Sequence, residues 1–226
     1  MLIKKEFLIK ARIEMNAILK KKLSIKDRQV LNIPKNIKRC TKCVIPNTRP
    51  RITFNKNGVC SACLYKEQQM KVDWNKRRKE LGELCDKYRS KDGSPDVVVP
   101  CSGGKDSSMI AHVLKYEFDM NPLCVTFSPP VYTQIGIQNL RSFIDAGFNH
   151  VLISPPGDIN RALTRLGFEI YGDHNEIFDN GQMSAPFRVA LKEDIKLVMY
   201  GENGEAEYGG TTEYADLPGP PWEAFA

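Results

Sequence analysis

Two short patterns carry most of the chemistry this sequence can offer. The first is Ser102-Gly103-Gly104-Lys105-Asp106-Ser107, which follows the apolar run at 97–101. Two glycines let a backbone turn tightly and approach a ligand, and a helix beginning near Asp106 turns its first N–H groups outward. With the hydroxyls of Ser102 and Ser107, and possible help from Ser108, this makes a cup of donors for an anion. Lys105 adds positive charge. Asp106 repels a bare phosphate, so it fits better as a helix-start residue that helps hold Mg2+ beside phosphates. The spacing differs from the GxxxxGK[ST] loop, because Lys105 directly follows Gly104. The blander reading is a glycine turn before an Asp-capped helix.

The second pattern is Cys40-x2-Cys43-x16-Cys60-x2-Cys63. Each CxxC pair can bring two sulfurs to one metal on a tight turn, and two such knuckles complete a tetrahedral thiolate site. Four cysteines leave no open coordination position, so the expectation is structural Zn2+, with an iron-sulfur centre as rival and unmetallated dithiols as the alternative. In a segment too small to bury a core, a zinc site can supply roughly 10 kcal/mol of folding free energy. Cys85 and Cys124 read as small core residues. Cys101, next to the glycine loop, reads as a small residue closing a strand, with a reactive role as the rival.

Positioning these groups requires strands and helices in alternation. The segments at 96–101, 122–128, 150–155 and 195–201 read as strands, and those at 107–118, 133–147, 159–168 and 184–194 as helices. The expected fold class is α/β, a Rossmann-like parallel sheet with helices on both faces, plus a small N-terminal zinc-ribbon module. Met109, Ile110, Val113 and Leu114 are expected on the core face of the first of these helices. Residues 172–181, rich in Gly, Asn and Asp, read as a loop. Upstream, Trp74, Arg78, Leu81, Cys85 and Tyr88 recur at helical spacing behind a cap at Asp73. The expected domains are a basic helical leader and linker (1–38), the zinc-ribbon-like module (39–68), a connecting helix (69–94), a phosphate-loop domain (95–210) and a Pro-rich tail (211–226). In the leader, Ile3, Phe7, Ala11, Met15 and Ile18 share one helical stripe.

The 226 residues carry a net charge of +6. Residues 1–39 hold 12 of the 33 Lys and Arg and 3 of the 27 Asp and Glu, a local +9 that leaves −3 for the remainder. The leader could meet RNA or an acidic partner, but nucleic acid is the weaker expectation for the chain as a whole. No apolar run approaches membrane-spanning length, and seven cysteines without a secretory signal fit a reducing compartment. The expectation is a cytoplasmic protein that does not engage a membrane. His112, His150 and His174 are scattered and read as structural or surface residues.

The SGGKDS string after the first strand of a parallel sheet resembles the signature of the PP-loop ATP pyrophosphatases, which cleave ATP to AMP and pyrophosphate. That resemblance implies adenylation of a carbonyl oxygen, followed by displacement of AMP by a nitrogen or sulfur nucleophile. It makes Ser102, Gly103, Gly104, Lys105, Asp106 and Ser107 the nucleotide-binding residues, and Lys105 and Asp106 catalytic. "RCTKCVIPNTRPRITFNKNGVCSAC", Asp73-Trp74, "LTRLGF", "APFRVA" and "YGENGEAEYGG" extend the likeness to the bacterial N-acetyl sugar amidotransferases, from about Arg39 to Gly210. The implied reaction is that of a C–N bond-forming ligase that uses ATP, Mg2+ and ammonia to convert an acetamido sugar into an acetamidino sugar, for surface polysaccharide such as lipopolysaccharide or for flagellin glycan. The implied partners are a glutaminase and a cyclase-like subunit that delivers ammonia. In agreement, no cysteine sits in a G-x-C-x-G elbow, so no internal glutaminase is expected.

Among Glu202, Asn203, Glu205 and Glu207, Glu202 is selected as a metal or substrate contact, a solvated acidic loop being the alternative. The family's chains continue past Gly210, so the tail at 211–226 is expected to lack part of the sugar site. Rival readings are a tRNA-thiolating enzyme using Cys101 or Cys124, and a non-catalytic nucleotide-binding scaffold for the glutaminase.

Overall fold

The computed structural model describes residues 36–49 and 52–202. The apolar stripe of the leader, the tail at 211–226, and Asn203, Glu205 and Glu207 lie outside the described residues. Among the described residues no helix is long and apolar enough to cross a membrane.

Three parallel strands form the sheet in the order β1-β2-β3: β1 is Val97–Pro100, β2 Pro122–Phe127 and β3 Asn149–Ile153. Val99 aligns with Cys124, and Cys124 with His150. Side chains alternate across the sheet, so Val97, Val99 and Cys101 enter one core cluster and Val98 the other. The first cluster is completed by Cys85, Ala111, Leu114, Phe143 and Phe148, the second by Val189, Ala190 and Ile195. A sheet buried on both faces explains why β1 and β2 read as near-continuous apolar runs rather than alternating ones.

Six helices are described. α1 (Ser61–Gln69) follows the second cysteine pair, α2 (Trp74–Tyr88) leads to the sheet, and α3 (Lys105–Tyr116) starts at the glycine loop. α4 (Gln134–Asp145), α5 (Gly157–Tyr171) and α6 (Glu176–Lys192) complete the set. Asp73 caps α2 as expected, its carboxylate accepting the Lys76 N–H at 3.0 Å. Thr133 does the same for α4 through the Gly136 N–H.

Four local expectations need correction. The stretch at 172–181 is mostly the start of α6, which runs on through Gly181 and Pro186. A Cβ at Gly181 would stand 2.2 Å from a ring carbon of Phe127, so glycine lets the helix lie against the end of β2. Packing thus overrides the weak helical propensity of Gly and Asn. Trp74 heads α2 but is 67% exposed, because the buried stripe centres on Cys85. Met109 is likewise exposed; α3 buries Leu114 as expected and Ala111 in place of Met109.

The expected fourth strand contracts to one parallel bridge, Val98 to Val198, on the side of β1 away from β2. There the Val98 N–H donates to Leu197 and the Met199 N–H donates to Val98, both at 2.9 Å. Beyond Met199 the Tyr200 ring lies 6.0 Å from Phe187, and its hydroxyl donates to the Met183 carbonyl, so the chain turns toward α6.

The entry to the sheet is tied by the buried Asp96. Its carboxylate accepts the Ser90 N–H at 3.0 Å and the Asn121 N–H at 2.8 Å. Asp96→Ala leaves two backbone donors without their acceptor. It is expected to lower the unfolding free energy by roughly 2–4 kcal/mol, read as a lower urea midpoint at constant m-value.

Candidate phosphate and metal sites

β1 delivers Cys101 to the carboxyl edge of the sheet, and the loop turns there. Gly103 takes φ +76°, a left-handed conformation that other residues adopt only under strain. A Cβ on Gly103 would stand 2.9 Å from both the Leu140 N and Cα, so its absence lets the loop lie against the backbone of α4. Gly104 has φ −77° and serves as the N-cap of α3.

The loop satisfies several of its own groups. The Ser102 N–H donates to the Ser107 hydroxyl at 3.4 Å, the Gly103 N–H to the Cys101 sulfur at 3.4 Å, and the Gly104 N–H to the Ser102 hydroxyl at 3.3 Å. The donors that remain for an anion are therefore those of the first turn of α3, where intrahelical acceptors do not exist. Lys105 and Asp106 stand at the mouth as an ion pair, Lys105 Nζ lying 2.7 and 2.8 Å from the two carboxylate oxygens. Both are substantially exposed, so this pair contributes little to stability and can separate around a ligand.

Glu202 reaches the same edge by a different route. Gly201 runs so close to the first turn of α3 that a Cβ there would meet the Asp106 carbonyl carbon and oxygen at 3.1 Å. The segment at 201–202 therefore passes beside Asp106, and Glu202 is exposed. The structure thus gathers Ser102, Gly103, Gly104, Lys105, Asp106, Ser107 and the backbone of Glu202 at one end of the sheet.

Cys101 is 5% exposed. The Cys124 thiol donates to its sulfur, and against the opposing effect of burial the Gly103 N–H and Ser107 hydroxyl add to this, bringing Cys101 down to about 7. Donation to Cys101, with burial, pushes Cys124 up. Packing is the favoured sequence expectation for both, with reactivity as the rival, and it does not foresee their pairing; the register of Val99 on Cys124, invisible in one sequence, creates it. His150, expected to be structural, is held below the ordinary imidazole range by burial. His112 and His174 are exposed.

The four N-terminal cysteines converge, their sulfurs all within 4.8 Å of one another. The Cys43 and Cys60 sulfurs are 3.5 Å apart. A tetrahedral ion with Zn–S bonds of about 2.3 Å separates its sulfurs by roughly 3.8 Å, so the donor set fits a single zinc ion. A multi-iron cluster interposes irons and sulfides between its thiolates and needs them further apart. Backbone donors are already aimed at the sulfurs. Lys42 and Cys60 N–H groups point to Cys40 Sγ at 3.3 Å, and the Cys63 N–H points to Cys60 Sγ at 3.5 Å, making Cys60 the N-cap of α1.

Burial works to raise Cys40, but N–H groups of Cys43, Cys60 and Lys42 outweigh it and bring the thiol down to about 6. Sharing hydrogen bonds with Cys43, together with burial, pushes Cys63 up to about 12, and burial raises Cys60. The Cys40 thiolate forms easily while Cys60 and Cys63 resist, as expected of crowded like charges that a cation would relieve. Lys42 pairs with Glu67 of α1, tying the first knuckle to the helix after the second.

No family model matches the chain. An uncharacterized protein of Methanocaldococcus jannaschii is 28% identical over 102 residues, which is 45% of this chain and 36% of that protein. Among solved structures, the NH3-dependent NAD synthetase from Campylobacter jejuni subsp. jejuni, in complex with nitrate ion, is similar with a TM-score of 0.44. That likeness has 18% sequence identity and covers 65% of this chain and 64% of the synthetase. The matched region is thus about a third of the archaeal relative and under two thirds of the synthetase.

Two outcomes are expected. Cobalt(II) titrated into metal-free protein should bind one ion per chain, with the visible bands of a tetrahedral tetrathiolate and release of protons. Cys60→Ser should lose those bands, and an iron-sulfur spectrum in the purified protein would overturn the zinc assignment. At the loop, Gly103→Ala should lower stability by roughly 2 kcal/mol or more through its clash and its positive φ. Gly104→Ala, with an ordinary φ, should cost within about 1 kcal/mol while perturbing Ser102. Urea unfolding of the two variants distinguishes these costs.

Proposed function

We propose that the chain is the nucleotide-binding part of an ATP-dependent amidotransferase of the PP-loop ATP pyrophosphatase type, acting on an N-acetyl group of a nucleotide-linked sugar. The observation that carries the nucleotide half is the position of Ser102–Ser107: a glycine turn between the carboxyl end of a central parallel strand and the start of α3, with Glu202 alongside. Open parallel sheets place ligands at this edge. The donors of the first turn of α3 suit the pyrophosphate portion of ATP. Asp106 and Glu202 are the residues that would hold Mg2+, a cation that shields phosphate charge. Lys105, released from Asp106 by that ion, would face the phosphate oxygens.

In the reaction, the acetamido oxygen attacks the α-phosphorus and pyrophosphate departs. Ammonia then adds to the activated carbon, AMP leaves with the former amide oxygen, and proton loss gives the amidine. The loop's work is to position the leaving pyrophosphate. The sugar half of the proposal rests on the resemblance of the separate motifs between about Arg39 and Gly210. The proposed partners are a glutaminase and a cyclase-like subunit supplying ammonia.

The zinc module has a structural role in this reading, since four thiolates leave no place for substrate. A second reading, sulfur transfer to tRNA, is favoured by the lowered Cys101 thiol beside the loop. Against it, Cys101 is nearly buried and Cys124 wholly so, which leaves little room for a sulfur carrier to reach either.

The test incubates the protein with ATP, Mg2+, ammonium and a panel of nucleotide-linked acetamido sugars, with and without candidate partner subunits. Pyrophosphate release and the mass change of amide-to-amidine exchange are followed. The expected result is sugar-dependent pyrophosphate release that falls at least about a hundredfold in Asp106→Asn and survives in the Cys101→Ser, Cys124→Ser double variant. Loss of all activity in the double variant would favour sulfur transfer. ATP binding without cleavage under every condition would favour a scaffold.

A further inference from the structure

Beneath the phosphate loop, a chain of hydrogen bonds crosses the sheet from its far strand. Thr126, on β2 and 5% exposed, donates its hydroxyl proton to the carbonyl of Cys101, the last residue before the loop. Its oxygen also lies 2.8 Å from His150 Nε2, on β3. A hydroxyl has one proton to give. Because that proton is on the Cys101 carbonyl, the threonine oxygen accepts and His150 Nε2 donates. The direction of the chain is thereby set: His150 to Thr126 to the Cys101 carbonyl.

The carbonyl at the end of this chain shares a peptide plane with the Ser102 N–H. In a trans peptide the two groups point in opposite directions, and the plane resists rotation. Fixing the Cys101 oxygen therefore fixes the Ser102 N–H, which is the donor to the Ser107 hydroxyl in the first turn of α3. The neighbouring Gly103 N–H rests on the Cys101 sulfur, so the same residue anchors two consecutive loop amides. Backbone pairing holds Cys101 from one side only, through its own N–H to the Val125 carbonyl at 2.8 Å. The strand as such leaves the orientation of the next peptide to the side chain of Thr126.

We propose that Thr126 and His150 are positioning residues for the phosphate loop, acting through the Cys101 carbonyl to pre-set the Ser102 amide and the first turn of α3 for an anion. This rests on the phosphate-loop reading above and extends it to two residues outside the motif. Neither residue touches the ligand in this scheme. Preorganisation of the loop lowers the cost of ordering it on binding. Polar groups this deep are costly unless each is satisfied, which gives Thr126 one acceptor and one donor and no alternative geometry.

The experiment compares Thr126→Val, which keeps the shape and removes the hydroxyl, with Thr126→Ser, which keeps the hydroxyl, and His150→Leu with His150→Gln, which keeps a donor. Two readouts are taken on the full chain with zinc bound. One is hydrogen exchange of the peptide covering 102–107 in the ligand-free protein, set against peptides from α2 and β2 as a measure of global opening. The other is affinity for inorganic pyrophosphate with Mg2+ by calorimetry. Thr126→Val should speed exchange in the loop peptide selectively and weaken pyrophosphate binding roughly tenfold, the loss expected for one buried hydrogen bond. Thr126→Ser and His150→Gln should recover most of both.

Equal loop exchange in Thr126→Val and wild type, or failure of Thr126→Ser to restore it, would overturn the proposal. If wild-type protein binds no pyrophosphate, the phosphate reading fails by itself, and the exchange comparison still decides whether these residues order the loop. If Thr126→Val unfolds, the His150 pair and Thr126→Ser carry the comparison.

Discussion

The arrangement depends on the central place of β1. This strand has only four residues, yet it is hydrogen-bonded to β2 along one side and to the segment around Val198 along the other. Its valines are completely buried and point alternately into the two core clusters. A strand held on both edges and both faces has almost no freedom to shift, so the residue that follows it is delivered to one place. The loop at 102–104 and α3 inherit that precision. Gly201 and Glu202 inherit it as well, because they continue the segment paired to the other edge of β1.

The same constraint explains the division of labour around the loop. Donors in the loop proper are committed to Ser107, Cys101 and Ser102, which makes the turn self-supporting. Charge at the mouth is balanced by the Lys105–Asp106 pair. Below it, Cys101 is tied by its N–H, its carbonyl and its sulfur to β2 and the loop together. The four-cysteine segment achieves its order by another route. Few of its residues are buried, its bridges are isolated pairs at Arg39–Pro46 and Phe54–Cys60, and the convergence of four sulfurs does the work that a core does in the sheet domain.

Much of this was legible in the sequence. The alternation of apolar runs with amphipathic segments is a local property, and the first three strands and the helices expected at 107–118, 133–147 and 159–168 follow from it within a few residues. The cysteine spacing was equally direct, since a tetrathiolate site imposes its own geometry on the chain. What escaped the sequence was mostly set by partners distant along the chain. Nothing near 172–181 announces that Phe127 will press on Gly181 and hold a helix there. The exposure of Trp74 and Met109 follows from which residues of their helices meet the core, and periodicity alone only locates a stripe to within one position. The Cys101–Cys124 and Thr126–His150 contacts arise from strand register.

The two loop glycines show how one motif can answer to two different demands. Their adjacency suggests a single purpose, close approach of the backbone to a phosphate. Gly103 instead answers first to the protein: its φ of +76° and the 2.9 Å approach of a would-be Cβ to Leu140 make it a packing requirement between loop and α4. Gly104 has an ordinary φ, and a Cβ there would meet only the Ser102 hydroxyl at 3.1 Å, a group that can rotate away. Loss of function on replacing Gly103 would therefore report the integrity of the loop, whatever the loop binds. The information about ligand lies in the residues that the fold itself does not need, and at this edge of the sheet those are Lys105, Asp106 and Glu202.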